Sequence, residues 1–475
     1  MNDGFLKNQS RPCYTGKIFH AAGRHYFFNT VAGSIDALSE NAASVLAAYC
    51  NNHGGCDVRR ADPAAEDLRP YIKNPYSHAE IEATLDRKLR LLVLELTRSC
   101  NMACSYCIDG DAYDQKDCLG SANMSEDVAL RGVDYLLEHS TDQMHPLAIS
   151  FYGGEPLLRF ELLKKVVEYA EKRADEKNKC IVFSITTNGT LLTPSVAEFL
   201  ISHSVQMVVS LDGPRDIHDR CRRFKGGGGT FEVVATALEM VRNLDPDYFD
   251  RLVRCSVVVT PGSDLEELQA YFSDLHVNTI ANFVDTYGID ETEFGSVGAV
   301  AGLSTLRTQM AARLREEGAE FLSQNNMSKD FAAVLLSPMI KRFLESDASS
   351  PRMSLGQCVL GASRLYLSAD HAFYPCEKVA GHSFARIGNI EAGIDADRVA
   401  YLIEQFYEMA KKQCSGCWMS SRCSACIALA CSGDQFDMKK YGHYCRGTKA
   451  WGESALKLAI SAKLHLSERL NICSE

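Results

Sequence analysis

The sequence predicts an α/β fold: six βα units forming a parallel sheet, open or curled into a partial (β/α)6 TIM barrel. A small N-terminal α+β unit precedes it and a cysteine-rich C-terminal region follows. Three observations predict this. Short β-branched runs alternate with amphipathic segments between residues 91 and 284. The residues before them read as strands and one helix. Eleven of the 19 cysteines fall into two dense groups, one directly after the first apolar run and one near the C-terminus.

With 475 residues the chain exceeds one core. Expected boundaries are 1–85 for the N-terminal unit and linker, 86–300 for the barrel, 301–350 for a helical bridge, 351–450 for the cysteine-rich domain and 451–475 for a terminal helix. In residues 16–48, "KIFH", "RHYFFNT" and "GSIDAL" read as strands and "SENAASVLAAYC" as a helix capped by Ser39. A polar stretch then breaks the pattern. The barrel strands are "LLVLEL", "LAISFYG", "CIVFSITT", "QMVVSLD", "RCSVVVT" and "TIANFV", all reading as buried on both faces. The helices between them open on Ser, Thr or Asp at capping positions, Thr230 among them. Residues 300–347 read as helical, "SRLYLSADHAFYPC" as a hairpin turning at 369–371, and the tail from about residue 446 as an amphipathic helix. In such folds chemistry gathers at the C-terminal ends of the strands. There lie "TRSCNMACSYC", "GGEP", "TTNG" and "SLDG".

A net charge of −11 leaves no basic footprint for nucleic acid. No signal peptide is visible and no apolar run is long enough to span a bilayer, so a cytoplasmic protein with no membrane partner is expected. Disulfides are improbable in such a chain. Cys50, Cys180, Cys221 and Cys255 stand singly in apolar or helical surroundings and read as buried structural thiols.

Cys100, Cys104 and Cys107 have the spacing C-x3-C-x2-C. One helix face would share that spacing, but Asn and Ser interrupt it directly after a strand. Zinc needs a fourth ligand, and no nearby His supplies one. Three thiolates suit a [4Fe–4S] cluster with one iron left open. Here "CNMACSYC", with Tyr106 as the aromatic, resembles the radical SAM superfamily. The resemblance implies S-adenosylmethionine (SAM) on the open iron, and reductive cleavage to methionine and a 5′-deoxyadenosyl radical that takes hydrogen from substrate. It also implies anaerobic oxidoreductase chemistry and a reductant such as flavodoxin or ferredoxin. By the same resemblance Gly153, Gly154, Glu155 and Pro156 line the SAM amino group through backbone contacts. Asn188 lies near the ribose and Ser210 near the methionine carboxylate. Arg222 pairs with that carboxylate, with Arg220 and Arg223 as competitors.

The second group is Cys358, Cys376, Cys414, Cys417, Cys423, Cys426, Cys431 and Cys445. Its C-x2-C-x5-C-x2-C core also suits zinc knuckles; eight thiolates equally serve two [4Fe–4S] clusters, three with the first. The group resembles the SPASM extension of radical SAM enzymes, departing from it at His371, where the turn glycine would stand, and in one shortened spacing. The resemblance implies an outer cluster on Cys414, Cys417, Cys423 and Cys445. It implies an inner one on Cys358, Cys376 and Cys426, with Cys431 a fourth ligand, the alternative to Cys426, or a bystander. Cys118 and Cys473 are unassigned.

SPASM enzymes mostly modify peptides or protein side chains. The leading expectation is a maturase of a ribosomal precursor peptide, forming sulfur-to-carbon thioether cross-links. The N-terminal unit would be a winged, leader-recognition (RRE-like) unit that adds the leader as a strand; a simple cap on the barrel is the alternative. The second reading is an anaerobic sulfatase-maturing enzyme that oxidises Cys or Ser to formylglycine, and a C–C cross-linking maturase is a further variant. A non-catalytic iron–sulfur carrier or zinc scaffold would not cleave SAM. Asp109 and Asp285 are candidates for a general base by position alone.

Overall fold

The computed structural model describes residues 16–21, 23–29, 34–44, 76–108, 122–141, 145–284, 303–316, 330–344, 358–414 and 417–472. Its strands are β1 (Gly16–Ala21), β2 (Arg24–Asn29), β3 (Ile35–Leu38), β4 (Leu91–Thr97), β5 (Leu147–Gly153), β6 (Ile181–Thr187), β7 (Gln206–Ser210), β8 (Val253–Val259) and β9 (Asn278–Phe283). The cysteine-rich region adds β10 (Arg364–Leu367), β11 (Ala372–Tyr374), β12 (Gly388–Asn389), β13 (Gly393–Ile394), β14 (Cys431–Ser432) and β15 (Gln435–Phe436). The helices are α1 (His78–Leu85), α2 (Glu126–Glu138), α3 (Phe160–Glu176), α4 (Pro194–Ser202), α5 (Arg215–Cys221), α6 (Phe231–Leu244), α7 (Pro246–Leu252), α8 (Leu265–Leu275), α9 (Leu303–Glu316), α10 (Phe331–Leu344), α11 (Ala396–Cys414) and α12 (Met438–Ile472).

Strands β4 to β9 lie side by side in chain order, and each neighbouring pair is parallel. Burial on both faces is a correction: it holds for β4, where Leu92, Val93, Leu94 and Leu96 are all sealed from water, whereas β5, β6, β7 and β9 alternate, with the crossover helices covering one face and Val182, Ile280 and Phe283 exposed. Caps start the helices where the sequence places them: Ser125 accepts from Val128 N–H, Thr193 from Val196 N–H and Asp264 from Glu266 N–H. Thr230 is a correction. Its side chain makes no cap, and Asp219 of the preceding helix accepts from the Thr230 and Phe231 N–H groups instead, at 2.8 and 2.9 Å. A cap supplied from another element leaves no local signature.

The sheet does not stop at β4. The hairpin β10–β11 turns where the sequence indicates, with His371 at φ 69°, and β10 pairs parallel with β4, Leu365 opposite Leu92. Strands β11, β12 and β13 continue antiparallel, giving ten strands in one sheet with edges at β13 and β9. The terminal helix starts at Met438, about two turns earlier than its amphipathic pattern suggests. Cys221 and Cys255 are buried as expected; Cys180 is exposed, because it sits in the turn before β6 rather than within the strand. Cys50, Cys118 and Cys473 lie outside the described residues. No helix among the described residues is long and apolar enough to cross a membrane.

Strands β1, β2 and β3 form an antiparallel meander with β2 in the middle. It is docked by Phe28, fully buried, whose ring meets Phe343 of α10 at 5.4 Å and Trp418 at 6.2 Å. Lys17 of β1 lies 4.9 Å from the Trp418 ring centroid and pairs with Glu453 of α12. Phe28→Ala should therefore cost about 3–5 kcal/mol. The expected readouts are a lower Tm and faster limited proteolysis within residues 16–38; unchanged protease resistance would refute Phe28 as the anchor.

Candidate active site and thiol clusters

The C-terminal ends of β4, β5 and β6 converge on the first cysteine loop. Gly154 N–H donates to Thr97 O at 2.8 Å, and Glu155 N–H to Ser99 O at 2.9 Å. A Cβ on Gly153, whose φ is 130°, would stand 2.1 Å from Thr97 O; one on Gly154 would stand 2.4 Å from Ser99 O. The two glycines thus answer to the chain that carries Cys100. Glu155 is fully buried, and its side chain is committed internally. Its carboxylate accepts from Thr187 Oγ1 at 2.7 Å, Asn188 N–H at 2.7 Å and Leu157 N–H at 3.0 Å. Burial raises its pKa, and those three donors oppose the rise. Pro156 opens a 3-10 turn directly afterwards. Asn188 faces the first cysteine. Its Nδ2 donates to Asn101 Oδ1 at 2.9 Å and reaches Cys100 Sγ at 3.7 Å, while its Oδ1 accepts from Thr190 N–H and Oγ1.

A buried charged group lies behind Cys104. Arg222 Nη1 donates to Tyr106 Oη at 2.8 Å, and Tyr106 Oη donates to Asp212 Oδ2. Asp212 Oδ1 accepts from Val258 N–H at 3.0 Å. Burial opposes the Arg222 charge, but the acidic groups around it, Tyr106, Cys104 and Asp212, hold its pKa above the usual range. Burial raises the Cys104 thiol, and Arg222 pulls it back. His218 lies beneath this group. Its Nδ1 accepts from Asp212 N–H at 3.3 Å, so the proton is on Nε2 and is given to Thr230 Oγ1 at 3.0 Å, which donates to Arg222 O. Burial, with the Arg222 charge, pushes His218 down to about 3, so it is neutral at physiological pH. Of the competing arginines, Arg220 turns away to Thr260 Oγ1 at 2.8 Å, and Arg223 bonds Asp219 O. Ser210 closes β7 half-buried, next to Leu211. Asp109 and Asp285 lie outside the described residues.

The eight C-terminal thiols separate into two groups. Cys414, Cys417, Cys423 and Cys445 line one cavity with Met419, Ala425 and Leu429. Cys358, Cys376, Cys426 and Cys431 form the other: Cys358, Cys376 and Cys431 each interact electrostatically with Cys426, and Cys431 also with Cys376. Burial pushes Cys376, Cys414 and Cys431 up to about 12 and Cys423 up to about 11. Thiolates gathered in apolar surroundings need a cation to balance them, and iron supplies one. The Tyr444 hydroxyl, buried on this cavity with no partner, fits a missing acceptor such as a cluster sulfur. Arg222 Nε, buried without a partner beside Cys104, fits an anionic ligand at the first loop. No three His, Cys, Asp or Glu side chains among the described residues close onto a single-ion site. A polynuclear cluster, with one thiolate per iron, accepts a wider set.

Sequence reasoning missed the Tyr106–Asp212–Arg222 group, although an Asp at the end of a buried strand before Gly213 was a usable signal. Tyr441, Tyr444 and Lys449 were missed too; their spacing from Cys445 is helical, but nothing marked the helix as starting before it.

Two outcomes follow from this geometry. Gly154→Ala forces the Ser99 backbone aside at a cost of about 1–3 kcal/mol; it should lower Tm and release metal from Cys100, Cys104 and Cys107 while sparing the C-terminal groups, read as iron per chain. His218 titrates lower in the folded chain than its unfolded value of about 6.5. Between about 6.5 and about 3 the unfolded chain binds the extra proton, so stability from this group is full above that window and is lost as pH falls. His218→Gln should flatten the acid side of a Tm-against-pH curve; an unchanged slope would refute it.

The family model for the Radical SAM superfamily matches residues 94–275. The chain is 23% identical over 382 residues to a cysteine-type anaerobic sulfatase-maturating enzyme of Clostridium perfringens, covering 78% of this chain and 98% of that protein. It is 24% identical over 232 residues to the radical SAM cyclopropyl synthase TigE of Paramaledivibacter caminithermalis, covering 44% of this chain and about half, 47%, of that one. A solved structure of anSMEcpe with bound AdoMet shares the fold at a TM-score of 0.57 and 22% identity, covering 79% of this chain and 99% of that chain. The three-thiol loop, the strand-end motifs and these matches agree: the chain is an enzyme that carries a radical SAM domain over residues 94–275.

Proposed function

We propose that the protein is a SAM-dependent maturase of a peptide or protein substrate that installs thioether cross-links in a cysteine-containing precursor peptide. Relatives named for sulfatase maturation and for a peptide complex, anSMEcpe with AdoMet and the Kp18Cys peptide, support the substrate class. The observation that carries the finer reading is the docked N-terminal meander. Its strand β3 is an edge in the described residues and offers unpaired backbone groups to an extended leader. About a fifth of this chain has no counterpart in anSMEcpe.

In this reading Cys100, Cys104 and Cys107 hold one [4Fe–4S] cluster and the two C-terminal groups hold two more, each of four thiols, with Cys431 completing the inner set. When bound, the first cluster supplies the electron that cleaves SAM to methionine and a 5′-deoxyadenosyl radical. The chain does the rest. Arg222 offers its free Nε–H and fixed charge to the SAM carboxylate, and Tyr106 and Asp212 hold the guanidinium in place. Gly153 and Gly154 hold the cysteine loop against β5, and Glu155 ties that loop to Asn188. A thioether would form as the deoxyadenosyl radical takes one hydrogen atom from substrate carbon and the cysteine sulfur bonds that carbon, giving its proton to solvent and one electron back to a cluster, so that SAM is the net two-electron oxidant.

Formylglycine formation is the second reading, favoured by the match over 98% of the Clostridium perfringens maturase. Anaerobic reconstitution should give about twelve irons per chain, and SAM plus dithionite should yield 5′-deoxyadenosine, lost in Cys104→Ala. Co-expression with a short cysteine-rich reading frame neighbouring the gene should remove two hydrogens per modification from that peptide by mass spectrometry. An unmodified peptide, with turnover of a sulfatase-type Cys or Ser motif, would establish the second reading.

A further inference from the structure

The last helix, α12, contributes more to the outer thiol group than one ligand. Tyr441, Tyr444, Cys445, Thr448 and Lys449 all line the cavity that Cys414, Cys417 and Cys423 share. They recur at helical spacing, so one stripe of α12 forms one wall of it. Tyr441, Tyr444, Thr448 and Lys449 carry O–H or N–H donors. Tyr441 Oη stands 3.2 Å from Cys414 Sγ, and Tyr441 is fully buried against Phe406. A metal-bound thiolate has no proton, so in the loaded protein the hydroxyl must be the donor. The Lys449 ammonium hydrogen-bonds Cys445, one turn before it, and faces Cys417 and Cys414 as well. The Tyr444 hydroxyl is buried on the same cavity and has no partner among the described residues. The remaining wall is mostly apolar, formed by Met419, Ala425 and Leu429, with Ser420 giving its hydroxyl to Cys417 O at 2.7 Å.

We propose that Lys449, Tyr441 and Tyr444 of α12 are tuning residues that raise the reduction potential of the outer cluster by donating to its sulfurs. The inference rests on the reading that these four thiols hold a [4Fe–4S] cluster. Reduction adds one negative charge to a cluster that already carries four thiolates. A cation in hydrogen-bond contact with one ligand, two hydroxyls aimed at the sulfurs and an apolar wall that preserves their field all stabilise the reduced form more than the oxidised one. Backbone donors act on this group too, Ala425 N–H reaching Cys423 Sγ at 3.4 Å. They are fixed by the turn, whereas the α12 side chains are the variable part. None of the three is a ligand, so their removal should leave the cluster in place and change its electron affinity.

The test is a potentiometric titration of the reconstituted full-length enzyme followed by electron paramagnetic resonance. The outer signal is the one that Cys417→Ala deletes. Lys449→Met should lower that cluster's reduction equilibrium constant by at least about tenfold, roughly 59 mV for one electron, with iron per chain unchanged. Lys449→Arg should restore most of the shift. Tyr441→Phe and Tyr444→Phe should each shift the potential in the same direction by less. Lys439→Gln removes an exposed charge from the same helix and should leave the potential unchanged. Equal potentials in wild type, Lys449→Met and Tyr441→Phe, at equal iron content, would overturn the inference and leave the cluster assignment standing. Loss of outer-cluster iron from Lys449→Met with no shift in Tyr441→Phe would overturn it too, making Lys449 a structural prop. Wild type without iron at these four thiols would overturn the assignment itself.

Discussion

The backbone of Gly153 and Gly154 lies against Thr97–Ser99 with no room for a side chain between them, and the C-terminal end of the sheet is organised around that contact. It joins the end of β5 to the loop carrying Cys100. Directly after it, Glu155 spends its whole carboxylate on Thr187, Asn188 and Leu157, joining β5 to the end of β6. Asn188 then closes the circuit by facing Asn101 and Cys100. Three strand ends are locked by these hydrogen bonds. A cluster held by three flexible thiols would otherwise have to order its own loop on binding, at about 1–2 kcal/mol per residue fixed.

The same loop is fastened from the other side. Arg98 bonds Glu95 at 3.1 Å and Asp370 at 2.7 Å, and Glu95 accepts from Ala369 N–H at 2.8 Å. Asp370 and Ala369 belong to the turn of the β10–β11 hairpin, whose first strand pairs with β4. The cysteine-rich region is therefore continuous with the barrel sheet, sharing β4 as a common strand, and its hairpin turn abuts the three-thiol loop. This explains why Glu95 can be buried with charge: one partner is a guanidinium and the other an amide N–H fixed by the hairpin.

How much of this was legible depended on whether a residue's partners are near in sequence. The alternation of β4 to β9 with helices, the caps at Ser125, Thr193 and Asp264, and the hairpin turn at 369–371 are local, and period and turn chemistry reveal them. Spacing together with a family resemblance pointed to the outer four thiols and to Cys358, Cys376 and Cys426 as an inner set, and left Cys431 open; the fold brings Cys431 beside Cys426 and Cys376. The β4–β10 pairing, the Asp219 cap on α6 and the Tyr106–Asp212–Arg222 group join residues from about ten to more than two hundred positions apart, and no periodicity records them. The glycines of "GGEP" meet a second requirement that the sequence did not display: they also make room for the chain itself at Thr97 and Ser99.

Helix α12 gathers what the sheet leaves apart. Cys445, Lys449 and Glu453 lie at intervals of four, about 6 Å apart along one face. The first belongs to the outer thiol group, the second bonds it, and the third pairs with Lys17 of the N-terminal meander. On a neighbouring face Trp451 packs edge-on against Phe283 at the end of β9, 5.3 Å between centroids, with Arg307 of α9 over its ring. Trp418, adjacent to Cys417, takes Phe28 and Lys17 from the meander. The meander thus meets the outer thiol group through two rigid supports, the Trp418 turn and α12. In the proposed reading, a strand added at β3 would load a sheet whose aromatic anchor, Phe28, packs on Trp418 beside Cys417. In a densely packed interior small shifts are transmitted rather than absorbed, so in that reading peptide occupancy and the environment of the outer thiols would be mechanically linked.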